Sequence, residues 1–201
     1  MSEGGDLLLV RHGRTEWSET GRHTGLTDLP LTPRGEQRAA ALAPYFAGRS
    51  FALVLASPLR RAAQTASLAG MSDVEYDQDL REWDYGAYEG LTSAAIERSR
   101  PGWSLWRDGV PAGPEDHPGE SAGQVGRRVD RVLARVREAV AERSGDVVLF
   151  AHAHVLRVLT ARYLQLPPTE GRLFRLDTGT VSRLSHEHGL PVVARWNVPT
   201  Q

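Results

Sequence analysis

The sequence predicts an α/β protein of three layers, with helices on both faces of a mostly parallel central sheet and room for an antiparallel edge near the C-terminus. Short apolar runs typical of buried strands alternate along the chain with amphipathic segments typical of helices. Such a β-α-β-α-β alternation implies parallel strands joined by right-handed crossovers. The 201 residues can bury one core and show no repeat or linker, so we expect a single domain over residues 1–201.

The first half of the chain supplies three predicted strands and two helices. Thr32 is a suitable N-cap with Pro33 at the first helical position, and this helix should end before Gly48. Ser57 and Pro58 show the same pattern of an N-cap residue followed by proline, and they predict a second helix to about residue 69. The predicted strands cover residues 7–10, 51–56 and 74–76.

Residues 80–119 follow no regular pattern and predict a lid or a wall of a site. A loop-rich segment of this length inside a compact domain is usually functional. Its aromatic residues stand among glycines and prolines, and we expect Trp103 and Trp106 to be packing residues.

The second half begins with the clearest helix in the sequence. Ser121 and Gln124 form a capping box, and valines at three- and four-residue spacing follow to Val140. A buried strand at 146–151 precedes another helix, which Pro167 and Pro168 end. Strands are predicted at 172–176 and 180–198, with a turn near residues 188–189.

Composition excludes several classes of protein. Hydrophobic residues make up 40% and charged residues 24%, no apolar run reaches membrane-spanning length, and residues 1–6 lack the start of a signal peptide, so we expect a cytoplasmic protein without a membrane partner. Cysteine is absent, which excludes a thiolate nucleophile. A net charge of −1 gives no field to attract nucleic acid. The oligomeric state stays open, a homodimer included.

Two buried strands end in histidine, and this is the main functional signal. The strand at 7–10 runs into Arg11 and His12, and the strand at 146–151 runs into His152. If these strands are neighbours, both imidazoles lie at the carboxyl edge of the sheet, where ligands bind in open α/β folds. Arg60 or Arg61, after the strand at 51–56, would add a guanidinium. All 24 cationic residues are arginine, so an anion site must use guanidinium and imidazole groups, which suit a phosphoryl group.

The chain resembles the histidine phosphatase superfamily in its phosphoglycerate-mutase-like branch. The matching motifs occur in the family's order over about residues 7–160. They are Arg11-His12-Gly13, Leu26-Thr27-Asp28-Leu29-Pro30-Leu31-Thr32 with Gly35, Ser57-Pro58-Leu59-Arg60-Arg61-Ala62-Ala63-Gln64-Thr65-Ala66, Glu82-Trp83-Asp84-Tyr85-Gly86 with Glu89-Gly90, Gly119-Glu120-Ser121, and Ala151-His152.

The resemblance implies a phosphomonoesterase that forms a phosphohistidine on His12. It further implies that Arg11 and Arg61 hold the phosphoryl oxygens, that His152 is the second imidazole, and that Glu82 protonates the leaving group and then activates water. Asp84 and Glu89 compete with Glu82 for that role, and the resemblance favours Glu82. The substrate-binding residues that we expect are Ser18, Thr24, Gly25 and His154.

Departures from the mutase pattern favour a phosphatase of small phosphorylated metabolites, phosphosugars included. Ser18 stands where many members have asparagine. Ala153-His154 follows His152 where many have glycine, and this is similar to sedoheptulose-1,7-bisphosphatase-like and broad acid-phosphatase branches, together with Glu82-Trp83-Asp84-Tyr85-Gly86, Trp106-Arg107-Asp108-Gly109 and Leu176-Asp177-Thr178-Gly179. The alternatives are a phosphoglycerate mutase and a non-catalytic phosphate-ligand binding protein. His152 and His154 could suggest a metal pair, but no matching Asp/His cluster accompanies them, so we expect no metal and no cofactor.

Overall fold

A computed structural model describes residues 5–199, and a six-stranded sheet forms its centre. The strand order is β3-β2-β4-β1-β5-β6. β1, β2, β3 and β4 pair in parallel, whereas β5 is antiparallel to both β1 and β6, so the predicted fold class is confirmed. The strands are β1 (Leu7–Arg11), β2 (Phe51–Ala56), β3 (Glu75–Tyr76), β4 (Asp146–Ala151), β5 (Thr180–Glu187) and β6 (Leu190–Pro199).

Helices cover both faces of the sheet and also shape the irregular segment. Short 3₁₀ turns occur at Gln78–Leu80, Gly86–Tyr88 and Pro168–Leu173. No described helix has the length and apolar character needed to cross a membrane. The helices are α1 (Glu16–Thr20), α2 (Pro33–Ala40), α3 (Ala43–Phe46), α4 (Arg60–Leu68), α5 (Ser93–Ser99), α6 (Leu105–Asp108), α7 (Ala122–Glu142) and α8 (Ala153–Tyr163).

Alternation along β1 divides the core into two layers. Leu9 belongs to the cluster that buries α7 and α8, whereas Leu8 faces the other cluster, with Leu42 and Phe46 of the α2–α3 region. Successive side chains of a strand point to opposite faces, so one apolar strand serves both layers. Full burial of such a side chain stabilises the fold by roughly 1.5–3 kcal/mol.

Two of the predicted helix starts are confirmed. The Thr32 hydroxyl accepts a hydrogen bond from Gly35 N at 3.1 Å, and Ser121 forms the capping box with Gln124. The first predicted helix is divided, however, because Pro44 has no N–H and its ring clashes with the carbonyl of the residue four before it. Two short helices, α2 and α3, replace one long helix.

Two other predictions about local structure are wrong. Helix α4 begins at Arg60 and not at Pro58. The Ser57 hydroxyl accepts from Leu59 N at 3.3 Å and also contacts the His152 ring, and Leu59, the residue before the helix, has no side-chain cap. Residues 172–176 are not a strand: a 3₁₀ turn extends to Leu173, and a connection leads from there to β5. The predicted turn at 188–189 does join β5 to β6.

Candidate active site

The carboxyl ends of β1 and β4 bring the two strand-end histidines together. Arg11 is paired with Ala151 in the parallel ladder, and His12 N donates to Ala151 O at 3.0 Å just beyond it. The ring centroids of His12 and His152 lie 5.1 Å apart. Both imidazoles therefore face one volume at the edge of the sheet.

The His12 ring has a defined tautomer. Its Nδ1 lies 2.7 Å from Gly13 O, and a carbonyl can only accept, so Nδ1 carries the proton. Burial, together with repulsion from Arg61 and Arg11, lowers the pKa of His12 well below its ordinary value. The ring is therefore neutral, and Nε2 holds a free lone pair suited to nucleophilic attack.

We call residues 11–13 the His12 turn, and glycine is required at its last position. A Cβ on Gly13 would lie 2.6 Å from Gly35 O, the backbone of α2. Gly13 N also donates to the Thr65 hydroxyl at 3.0 Å. Helix α2 and helix α4 thus hold the turn by backbone contacts that a side chain would break.

The His152 ring has the opposite tautomer. Arg61 Nε donates to His152 Nδ1 at 3.0 Å, so this nitrogen must present a lone pair. Burial and the positive charge of Arg61 lower the pKa of His152 well below its ordinary value, so the ring is neutral and the proton sits on Nε2. That nitrogen lies 2.8 Å from the Ser57 hydroxyl. In this structure His152 Nε2 therefore donates to the Ser57 hydroxyl.

Arg61 is fully buried and held by backbone carbonyls. Its Nη2 donates to Gly25 O at 2.8 Å and to Thr24 O at 3.2 Å, and its Nη1 donates to Thr27 O at 3.0 Å. Glu89 fixes this loop from behind, accepting from Gly25 N at 2.9 Å and from Thr27 N at 3.2 Å. Thr24 and Gly25, expected to bind substrate, instead position Arg61 through their backbones in this structure.

Arg11 is the second guanidinium of the site. Its Nη1 donates to Leu176 O, while its Nε is buried without a hydrogen-bond partner among residues 5–199. Burial lowers the pKa of Arg11, and the nearby Glu82 carboxylate opposes that effect. An unpaired buried donor is costly, so an oxyanion placed here would gain a charge-assisted hydrogen bond.

Glu82 is buried at the N-terminus of α8. Its Oε1 accepts from Trp83 N and Val155 N, each at 2.9 Å, and its Oε2 accepts from His154 N at 3.0 Å. The helix dipole adds to this attraction for a carboxylate. The three amides fix its orientation, and its negative charge partly offsets burial, which lowers the pKa of Arg11 and of Arg61.

The two competing carboxylates have structural contacts. Asp84 accepts from Gly86 N at 3.0 Å and from Gly119 N at 2.8 Å, which closes the irregular segment on itself. Glu89 holds the loop behind Arg61. Both of these carboxylates therefore hold loop segments in place through backbone amides.

An arginine that the sequence analysis did not single out anchors the Glu82 segment. Arg128 of α7 donates to Glu82 O at 3.1 Å, Arg81 O at 2.6 Å and Asp79 O at 2.7 Å, and it pairs with Glu120 at 2.9 Å. Arginine at a buried position of an otherwise apolar helix face was the signal that could have found it.

One side of the site is a cluster that we call the aromatic wall: His23, Tyr85, Trp103, Trp106 and His154. The Tyr85 hydroxyl lies 2.6 Å from His154 Nδ1. Burial lowers the pKa of His23 to about 4 and that of His154 well below its usual value, while it raises the pKa of Tyr85. The wall therefore carries no charge at neutral pH. Trp103 and Trp106 pack within it.

Ser18 lies in the first turn of α1 and lines a cavity together with Arg11. Its hydroxyl donates to Thr15 O at 2.9 Å and accepts from Thr15 N at 2.9 Å. This capping box engages the hydrogen-bonding capacity that a phosphate contact would need.

Within residues 5–199 no group of three or more histidine, aspartate or glutamate side chains is arranged to hold a metal ion.

The sequence does not indicate the contact of Ser57 with His152 or the anchoring role of Arg128. The five groups that it does indicate meet at one edge of the sheet: His12, Arg11, Arg61, His152 and Glu82. Such a site can bind an oxyanion, attack it with an imidazole nitrogen and transfer a proton.

Comparison with known proteins agrees with the geometry. Residues 7–199 match the family described as the histidine phosphatase superfamily (branch 1). The chain is 41% identical to an acid phosphatase of Mycobacterium tuberculosis, over 94% of this chain and 90% of the relative, and 39% identical to sedoheptulose 1,7-bisphosphatase of Saccharomyces cerevisiae, over 79% and 67%. A solved structure of an open reading frame from Mycobacterium tuberculosis covers 98% of this chain and 99% of its own, with a TM-score of 0.90 and 38% identity.

Proposed function

The chain belongs to the histidine phosphatase superfamily, and from that premise we propose that it is a metal-independent phosphomonoesterase acting on small phosphorylated metabolites, phosphosugars among them. One observation carries the proposal: a buried, neutral His12 whose proton is held on Nδ1 and whose Nε2 faces a site with two guanidinium groups. Relatives named for phosphatase activity support it.

In the first half-reaction His12 Nε2 attacks phosphorus. The bond from phosphorus to the ester oxygen breaks as the bond to nitrogen forms, and Arg11, Arg61 and the His152 Nε2–H stabilise the phosphoryl oxygens. Phosphoryl transfer depends mainly on such positioning and charge stabilisation. Protonated Glu82 gives its proton to the departing oxygen, so an alcohol leaves.

In the second half-reaction a water molecule attacks the phosphohistidine. Glu82, now a carboxylate, accepts the proton of that water, and phosphate leaves with His12 neutral again. The uncharged aromatic wall adjoins Glu82 through His154 and offers a surface for the alcohol part of the substrate. Tyr85 and His154 would contact its hydroxyl groups.

The test compares His12→Asn with His188→Asn. His188 is an exposed turn residue with φ 52, a conformation that asparagine tolerates, so both variants replace one imidazole by the same side chain. We expect His12→Asn to lose at least about 100-fold in hydrolysis of p-nitrophenyl phosphate and His188→Asn to stay within twofold. Wild-type hydrolysis by His12→Asn, together with abolition of the parent's activity by EDTA, contradicts the proposal.

A second measurement identifies the intermediate. Rapid acid-free quenching of the reaction with radiolabelled substrate should trap a base-stable, acid-labile phosphoryl group in the wild type and none in His12→Asn. Incubation with 3-phosphoglycerate, with and without a bisphosphate primer, separates hydrolysis from mutase activity: we expect release of phosphate and no primed transfer. Saturable binding of phosphate esters with no turnover of any would instead identify a binding protein.

A further inference from the structure

The hydroxyl of Thr65 links the turn that carries His12 to the helix that carries Arg61. Thr65 is fully buried and lies one helical turn after Arg61 on α4. Its Oγ1 donates to Arg61 O at 2.6 Å and accepts from Gly13 N at 3.0 Å. A carbonyl can only accept and an amide N–H can only donate, so the direction of both hydrogen bonds is fixed. One side chain therefore connects the backbone of Arg61 to the His12 turn.

The peptide group between His12 and Gly13 is held at both ends. Its carbonyl, His12 O, accepts from Gly179 N at 3.0 Å, and its amide, Gly13 N, is the donor to Thr65. Together with the hydrogen bond from His12 N to Ala151 O at 3.0 Å, these contacts fix the backbone on both sides of the His12 Cα. Of the three partners only Thr65 Oγ1 belongs to a side chain, so it is the one that a substitution can remove.

The orientation of this peptide group affects where the His12 ring lies. The Nδ1 of the ring is bound to Gly13 O at 2.7 Å, and Gly13 directly follows the peptide group that Thr65 holds. A rotation of that peptide group displaces Gly13 O, and the ring then has to move or lose its hydrogen bond. Because Nε2 belongs to the same rigid ring, its direction changes with the ring.

The guanidinium of Arg61 is held independently of Thr65. Backbone carbonyls of the loop 24–27 accept from Nη1 and Nη2, and His152 Nδ1 accepts from Nε. Loss of the Thr65 hydroxyl therefore leaves the guanidinium in place and releases the peptide group after His12.

We propose that Thr65 is a positioning residue for phosphoryl transfer: its hydroxyl keeps His12 Nε2 aligned with a phosphoryl group that Arg61 holds. The inference rests on the proposed function, in which His12 is the nucleophile. Thr65 does not touch the reacting atoms and acts through the peptide group after His12. Such reactions are sensitive to small displacements, since a misplacement of about 1 Å can reduce a rate about 100-fold.

The test is Thr65→Ala, with Thr160→Ala as the matched control. Thr160 on α8 is also fully buried, and its hydroxyl donates to the carbonyl four residues earlier, Leu156 O, at 2.8 Å. Both changes remove the same local hydrogen bond from a buried helix position, whereas Thr65→Ala also removes the acceptor of the Gly13 amide. Thr65→Ser keeps the hydroxyl and is the conservative variant. If Thr65→Ala does not fold, Thr65→Val and Thr160→Val, which nearly keep the volume of threonine, replace the pair.

We expect Thr65→Ala to lower kcat/KM for p-nitrophenyl phosphate about tenfold or more. Vanadate, which bonds to the nucleophile and mimics the transition state, should bind more weakly by a similar factor. The affinity for inorganic phosphate, measured by calorimetry, should change less than about twofold, because the guanidinium groups stay in place. Thr65→Ser should recover kcat/KM to within about threefold of the wild type, and Thr160→Ala should stay within about twofold in all three measurements.

The effect of Thr65 has to pass through His12. On the His12→Asn background, Thr65→Ala should therefore change vanadate affinity less than about twofold, because two changes that act on one group are not additive. The proposal is overturned by equal losses of vanadate and phosphate affinity, by a full vanadate loss on the His12→Asn background, by an equal loss in Thr160→Ala, or by wild-type kcat/KM in Thr65→Ala. If the wild type hydrolyses no ester, the proposed function fails on its own, and the two binding measurements still decide whether Thr65 positions His12.

Discussion

Arg128→Met on helix α7 should destabilise the protein strongly. The side chain donates to three backbone carbonyls, those of Asp79, Arg81 and Glu82, and forms two hydrogen bonds to the Glu120 carboxylate. Methionine has a similar length but no donor, so it leaves these acceptors without their partner. The segment that carries Glu82 then loses its attachment to α7.

The magnitude follows from the burial of the pair. Removing one partner of a buried ion pair costs about 3–5 kcal/mol. The side chains are 9% and 21% exposed, so water can reach Glu120 and the lower end applies, about 3 kcal/mol. For a chain of this size about 2–4 °C of Tm corresponds to each kcal/mol, which predicts a fall of roughly 6–12 °C.

Urea unfolding and calorimetry measure this change. Arg127→Met, one residue earlier and exposed, is the control and should stay within about 0.5 kcal/mol of the wild type. Combining Arg128→Met with Glu120→Gln should cost less than the sum of the two single changes, because the double variant leaves no unpaired carboxylate. A loss below about 1 kcal/mol for Arg128→Met, or full additivity with Glu120→Gln, would refute the assignment of a buried anchoring pair.

The kinetics of Arg128→Met distinguish a displaced Glu82 segment from a general destabilisation of the fold. At a temperature where it stays folded, Arg128→Met should reduce hydrolysis of an alkyl phosphate more than that of p-nitrophenyl phosphate. In the proposed reaction only the alkyl ester needs a proton from Glu82 as its oxygen leaves, because p-nitrophenolate departs without one. An equal reduction for both esters would place the effect elsewhere than at Glu82.

Three other predictions concern the support of the site and its charge. Glu89→Gln puts an amide N–H against Gly25 N or Thr27 N and should lower kcat/KM about tenfold by displacing Arg61, whereas Glu97→Gln on exposed α5 should change nothing. Gly13→Ala should lower the free energy of unfolding in urea by at least about 1 kcal/mol, because its Cβ would meet the backbone of α2. The control Gly123→Ala, on the open surface of α7, should not destabilise the protein. The pKa values of His12, His23, His152 and His154 are lowered in the folded protein, so the unfolded chain binds more protons below pH 6.5. The free energy of unfolding, measured in urea, should therefore decrease as pH falls from 6.5 toward 4, and a value that stays flat over that range contradicts the lowered pKa values.

The sequence could predict which residues end the central strands, because burial requires apolar runs and function requires polar ends. The runs before His12 and His152 indicated two neighbouring strands, and the ladder from β1 to β4 agrees. Boundaries near proline were less predictable. Pro44 interrupts a helix whose apolar spacing continues on both sides, and spacing alone does not report the missing N–H.

Side-chain roles that depend on a distant partner were not predictable from spacing. Ser57 resembles a helix cap because serine before proline usually is one, yet its hydroxyl contacts His152, 95 residues along the chain. Ser18 was expected at the phosphate because of its place in a motif, but its neighbour Thr15 engages it in a capping box. Local hydrogen bonds compete with site contacts for short hydroxyl side chains.

The two histidines of the site have opposite tautomers, and this difference assigns their roles within the proposed reaction. The carbonyl of Gly13 fixes the His12 proton on Nδ1, and the Arg61 guanidinium fixes the His152 proton on Nε2. Since the first ring presents a lone pair and the second a donor, only His12 can form a bond to phosphorus while His152 stabilises an oxygen. In the proposed reaction Arg61 therefore has two tasks, because the guanidinium that we assign to the phosphoryl oxygens also sets the tautomer of the ring beside it, and three backbone carbonyls hold it in place.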